Sequence, residues 1–222
     1  MPSLPLFRPI LLMGLAPVIA GCQLFATEPL PVESAGDRIQ GHIVQAEGSL
    51  RFQPCGKPDA LTLLPSDTPS VAHAIEALPP GTRSFADLGG QLVIDGRAGT
   101  FQPQRIFRLA PSDPEGCDAL TPSTLFQAEG TDPRWRATVS ADGLLLQQPD
   151  QPAVALPVLV EQLPGGSASI TTEANGQRIE LWLAPGDCVE ATGARRYHMT
   201  ATLRVDGRTQ QGCAFTGTAN AN

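Results

Sequence analysis

Basic residues are scarce in this 222-residue chain: Lys and Arg total 15 against 22 Asp and Glu, the formal charge is −7, and Lys57 is the sole lysine. With no basic cluster, the chain lacks the electrostatic footprint of a nucleic-acid binder. Aromatic residues make up 5%, with a single tyrosine, Tyr197. No GxSxG, HExxH, Ser-His-Asp order or phosphate-cradling glycine loop is present, so no known catalytic motif argues for an enzyme. His42, His73 and His198 are scattered, and His73 with Glu76 supplies only two side chains three positions apart, so no metal or other cofactor is expected. Acid pairs such as Asp113 and Glu115 fall in apparent loops, where nothing holds two carboxylates at the separation glycosidase chemistry needs.

Long apolar runs are absent too. The one apolar stretch, "PILLMGLAPVIAG" after Arg8, is too short to span a bilayer, which needs about 20 such residues. A positive residue, a short apolar core and small residues before a cut describe an export signal over residues 1–21. Here Ile19-Ala20-Gly21 runs directly into Cys22. That resembles a bacterial lipobox, whose thiol is acylated and becomes the mature amino terminus. The resemblance implies a membrane anchor at Cys22 carrying palmitate-type chains, and Gln23 in place of Asp implies the outer membrane. Stable anchoring takes more than one chain, which triacylation supplies. Residues 22–38, "ATEPLPVESAGDR" among them, read as a disordered tether.

Four cysteines remain beyond the anchor: Cys55, Cys117, Cys188 and Cys213. An even number in an exported protein reads as two disulfides. Three connectivities are possible, and spacing favours Cys55–Cys117 with Cys188–Cys213. No CxxC or Cys/His cluster supports a metal instead.

Helical patterning occurs once, in "SDTPSVAHAIEALPPG", where Thr68 can cap, Pro69 suits the first turn, and Val71, Ile75 and Leu78 share a face. Elsewhere the period is two. In "YHMTATLRVDG", Tyr197, Met199, Ala201, Leu203 and Val205 face one way, and polar residues the other. The Asp-Gly that follows marks a turn, but Val205 would then face Arg208, which leaves the register open. "RWRATVSADG", "VALPVLVEQLPGG", "SASITTEANG" and "QRIELWLAPG" read as further strands. The expected fold is all-β, in two small antiparallel barrel or sandwich domains. Residues 39–119 form an OB-like domain with one short helix, and residues 122–220 a barrel of seven to eight strands. A single continuous barrel is the alternative.

"EGTDPRWRATV" (129–139) resembles the G-x-E-P-F-W segment of an uncharacterised family of bacterial envelope lipoproteins. Its C-terminal C…Y…GC pattern corresponds to Cys188, Tyr197 and Gly212-Cys213. Asp132 and Arg134 stand where the family has Glu and Phe. The resemblance implies an extracytoplasmic β-domain with a disulfide. More distantly, the architecture is similar to outer-membrane lipoproteins of envelope stress, surface sensing and copper response, without their CxxC.

The candidate binding residues are Trp182, Arg195 and Arg196, and not the other tryptophan. Trp135 falls on an apolar strand face and reads as core. Trp182 lies opposite Ile179, Leu181 and Leu183, hence outward, which suits a binding surface or packing between the halves. Arg195 and Arg196 in "ATGARRYHM" are a basic spot suited to an acidic partner, since guanidinium pairs with carboxylate or phosphate in two-pronged fashion. That loop is also similar to the Ser-Gly-x-x-Tyr stretch of membrane-bound lysozyme inhibitors. The expected role is a non-enzymatic interaction or sensing module, anchored through Cys22 and facing a periplasmic protein partner. The alternatives are an inhibitor of an envelope hydrolase and a small-ligand-binding barrel.

Overall fold

The computed structural model describes residues 36–46, 49–95, 98–111, 113, 116–118, 123–174, 176–193 and 195–217. The export signal, Cys22 and most of the expected tether lie outside the described residues.

Alternation of apolar and polar residues builds β1 (Asp37–Ala46), β2 (Ser49–Pro54), β3 (Leu61–Leu63), β4 (Ser84–Asp95) and β5 (Ala98–Ala110), with α1 (Pro69–Glu76) between β3 and β4. β1 pairs antiparallel with both β2 and β4, β2 with β3, and β4 with β5. A short parallel pairing of β3 with β5 closes the ring. Five strands in the cyclic order 1-2-3-5-4, with the helix after β3, make a small OB-like barrel. Its core stacks Phe52 on Phe101, with ring centroids 5.7 Å apart, and adds Ile43 and Leu88. Beneath it α1 buries Val71, Ala74 and Ile75, the i, i+3, i+4 stripe of an amphipathic helix, and Leu78 packs against the same cluster. Thr68 caps differently from expectation. Its carbonyl accepts the amides of Val71 and Ala72, while its side chain makes no capping hydrogen bond.

The second half holds β6 (Thr124–Thr131), β7 (Arg134–Ser140), β8 (Gly143–Gln147), β9 (Val154–Leu156), β10 (Leu159–Gln162), β11 (Ala168–Ala174), β12 (Gln177–Val189), β13 (Arg196–Val205) and β14 (Arg208–Thr216). They pair in the order 10-11-12-13-14-6-7-8-9, all antiparallel. The sheet curls around one apolar cluster that includes Trp135, Leu146, Ile170, Leu181, Met199 and Leu203. "VALPVLVEQLPGG" gives two strands rather than one. Pro157 offers no amide to a ladder, so β9 ends before it and β10 starts after it. The last hairpin settles its register by turn chemistry. Asp206 and Gly207 both take positive φ, 47° and 82°, which matches the strand twist, and Val205 does pair with Arg208.

Both halves belong to one sheet. β13 pairs with β5 through Arg196–Leu109 and Tyr197–Arg108, while each half keeps its own apolar cluster. The described residues, Gly36 to Gly217, form one compact unit. Arg38 of β1 clamps the junction. It bonds both oxygens of the fully buried Asp87, at 2.8 and 2.6 Å, donates to the Thr216 carbonyl at 2.7 Å, and lies 4.1 Å above the Phe107 ring.

Candidate functional site

The β6–β7 hairpin sets the geometry. Its turn is Asp132-Pro133, with a cis peptide, and Thr131 pairs with Arg134 across it. This register puts Gly130 opposite Trp135 and Glu129 opposite Arg136. Trp135 points inward and is 1% exposed. Its ring lies against Gly130 and Gly212. A Cβ on Gly130 would stand 2.2 Å from the indole nitrogen, and one on Gly212 would stand 2.7 Å from the ring. Only glycine fits at either place. The two short patterns of the sequence, Glu129-Gly130…Trp135 and Gly212-Cys213, are therefore one packing unit.

Glu129 sits on the other side of the same strand and collects donors. Tyr197 donates its hydroxyl to Oε1 in a short hydrogen bond. Arg136 donates to Oε2 from Nη2 at 3.1 Å and from Nε at 3.3 Å, and Arg195 approaches Oε1 at 3.4 Å. The Glu129 side chain is 11% exposed. Burial alone would raise its pKa, but the Tyr197 hydrogen bond and the fields of Arg136, Arg195 and Arg108 outweigh it and hold the carboxyl below the usual range. Burial, then the Glu129 charge, pushes the Tyr197 hydroxyl well above its ordinary value, so it remains a donor. Arg195 is driven down by burial and more than restored by Tyr197, Glu129 and Glu190.

Beneath this centre Tyr197 stacks on Phe215 at 5.8 Å, beside the Cys188–Cys213 disulfide. Cys55 bonds Cys117, so the bridges are the two that spacing favours. Arg108 is 7% exposed at its side chain and pairs with Asp113 at 2.8 Å. It is wedged between Phe85 and Phe215, 5.0 and 5.2 Å from their centroids, and its Nε and Nη1 have no hydrogen-bond partner.

An open cleft of about 990 Å³ lies over Glu129, with Arg134, Arg136, Gln147, Glu190 and Arg195 on its walls. The loop bearing Arg195 is closed on itself: the Glu190 amide bonds the Arg195 carbonyl at 3.0 Å, and Gly193 returns to Glu190 at 2.7 Å. The cleft thus presents two guanidinium groups fixed on Glu129: Arg136, half exposed, and Arg195, a third exposed and also 4.0 Å from Glu190.

No protein-family model, curated protein or solved structure matches the chain.

The expected binding residues part company. Arg195 lines the cleft, whereas Arg196 turns to Asp187 at 3.0 Å and lines a second, smaller hollow of about 630 Å³ with Arg105, Phe107 and His198. Burial, offset in part by donation of Nδ1–H to the Phe107 carbonyl at 2.9 Å, lowers the pKa of His198, with Arg38 adding to the fall. Trp182 is 48% exposed on the outer face of β12, paired across the ladders with Ser169 and Thr202, and belongs to neither hollow. Trp135 packs in the core as read from its strand face. Among the described residues no three His, Cys, Asp or Glu side chains gather as a metal-binding group, and His73 stands exposed on α1.

Sequence reasoning missed Glu129 as an organising residue. The available signal was an acid at an outward position of a strand otherwise rich in small and apolar residues, and a lone tyrosine in the strand that would come to lie beside it.

Proposed function

We propose that this chain is a lipid-anchored protein of the outer membrane, facing the periplasm, that serves as a non-enzymatic interaction or sensing module. The lipobox ending at Cys22 supports the anchor and the address. The contact surface in this reading is the cleft over Glu129, and the partner presents an anionic group, a carboxylate or a phosphate. One observation carries it: a buried, ionised carboxylate orients Arg136 and Arg195 toward an open cleft, in a protein that is otherwise acidic. Guanidinium groups held in place lose little freedom on binding and recognise planar anions through paired hydrogen bonds. The apolar side chains of the second half pack into one buried cluster, and the cleft opens to the surface, so binding in this reading takes place on the rim rather than inside.

Inhibition of an envelope hydrolase is a second reading, favoured by the self-bonded loop of residues 190–195 beside the cleft. Photo-crosslinking from Thr192 in the native envelope tests the main proposal. The expected result is a discrete adduct that Arg136→Ala with Arg195→Ala abolishes. An adduct indifferent to both arginines, or none, overturns it. Slowing of a lysozyme by the purified chain would favour the second reading.

A further inference from the structure

A hollow opens where β5 and β13 separate. β4 occupies one edge of β5 along its whole length, so β3 and β13 share the other, at Thr100 and Phe101 and at Arg108 and Leu109. Between those pairings no described strand is bonded to that edge. The reason lies in the β4–β5 ladder, where Gln104 and Phe107 are each an extra residue and form bulges. A bulge bends and twists its strand, which turns β5 away from β13. The imidazole of His198 closes the root of the gap. Its Nδ1–H donates to the Phe107 carbonyl at 2.9 Å, and its ring meets that of Phe107 edge-on at 4.9 Å.

Between the diverging strands lies the hollow of about 630 Å³, within the size range of small-molecule sites. Its walls have two characters. Ile106 and Phe107, both half-buried, and the exposed Pro185 give an apolar surface. The charged side chains on the walls are Arg105, Arg196 and Asp187. Arg196 is bonded through Nη1 to Asp187 at 3.0 Å, and its Nε and Nη2 have no partner among the described residues. The Asp187 side chain is 65% exposed and that of Arg196 31%, so solvent shares the pair and it holds the guanidinium weakly. A cation with two parallel donors to spare, beside an apolar wall, complements an anion that carries an apolar body.

We infer that this hollow is a binding site for a small organic carboxylate with an apolar body. The carboxylate accepts from Nε and Nη2 of Arg196, and the body lies along Ile106, Phe107 and Pro185. Asp187 competes with the ligand for the guanidinium. A neutral analogue keeps the apolar contact and loses the paired hydrogen bonds, and a bodiless anion does the reverse. The site is separate from the Glu129 cleft, because Arg195 turns to Glu129 and Arg196 to Asp187. It depends on neither the cleft nor the lipid anchor.

The test is an NMR titration of the full-length chain, isotope-labelled in histidine and isoleucine, with hexanoate, hexanamide and acetate. The expected result is that hexanoate shifts the His198 ring signals to saturation and shows a nuclear Overhauser contact to an Ile106 methyl. Hexanamide and acetate should each bind roughly tenfold more weakly. Arg196→Gln should weaken hexanoate by the same roughly tenfold, and Asp187→Asn should tighten it roughly threefold by removing the competitor. Asp187→Asn changes an exposed side chain, so it decides the matter where Arg196→Gln does not fold. Arg136→Ala with Arg195→Ala should leave hexanoate binding unchanged. No saturable shift at His198 overturns the proposal, as does hexanoate binding equal to that of hexanamide and indifferent to Asp187→Asn. Binding lost in the Arg136 and Arg195 double variant puts the anion in the cleft and overturns it too.

Discussion

Tyr197 of β13 donates its hydroxyl to Glu129 of β6, two strands that are not neighbours in the sheet, since β14 runs between them. That bond holds a nearly buried carboxylate ionised and, through it, aims two arginines. Tyr197→Phe removes the donor and leaves the charge. A hydrogen bond to a charged group contributes about 1.5–3 kcal/mol, so the variant should lose that much stability in urea unfolding. An unchanged midpoint would mean that the bond does not hold the site.

The same pair predicts the pH dependence. Glu129 has a folded pKa below its unfolded value, so its contribution is present above about pH 4.3 and is lost as pH falls through the folded value. Tyr197 has a folded pKa above its unfolded one, so its contribution is present below about pH 10 and is lost as pH rises toward the folded value. Stability plotted against pH should fall on both sides of a plateau. Glu129→Gln should flatten the acid limb, as seen by thermal melts at pH 3 to 7.

The Arg38–Asp87 pair joins the barrel to the end of β14, with side chains 13% and 1% exposed. Arg38→Met strands a buried carboxylate and should cost about 3–5 kcal/mol. Arg38→Met with Asp87→Leu should cost less than the single change, because no uncompensated charge remains. Urea titration of the two variants decides it.

Much of this was legible in the sequence, because the signals involved were local. Alternation of Tyr197, Met199, Ala201 and Leu203 is a statement about a single strand, and the structure buries those four. The first barrel was expected as OB-like with one helix but without its 1-2-3-5-4 order, and of the three possible disulfide connectivities the one formed is the one that spacing favours. What escaped depends on distant pairings. Glu129 and Tyr197 are 68 positions apart, and their contact exists only because β14 folds back between β6 and β13. Arg195 and Arg196 are neighbours in sequence and looked like one basic spot. The first stays with the loop closed on Glu190 and the second begins β13, so they serve different hollows.

The two tryptophans should separate spectroscopically. Trp182 is half exposed and Trp135 is sealed under Gly130 and Gly212. Iodide should quench one component of the emission and spare the other, and Trp182→Phe should remove the quenched one. The substitution should shift stability by no more than about 0.5 kcal/mol, as for other surface positions.

Each disulfide closes a long loop, with sequence separations of 62 and 25. In the chain-entropy treatment their removal costs about 4.3 and about 3.5 kcal/mol respectively. Replacing Cys55 and Cys117 by Ala should therefore destabilise the chain slightly more than replacing Cys188 and Cys213. Urea midpoints of the two double variants give the order.

The central claim is that Glu129 stays ionised under cover and so keeps Arg136 and Arg195 ready for an anion. Carbon-detected NMR of its side-chain carboxyl through an acid titration reads this directly. A midpoint below the ordinary carboxylate range, moving upward in Tyr197→Phe, is the predicted result; a midpoint in or above that range, indifferent to Tyr197, would contradict it.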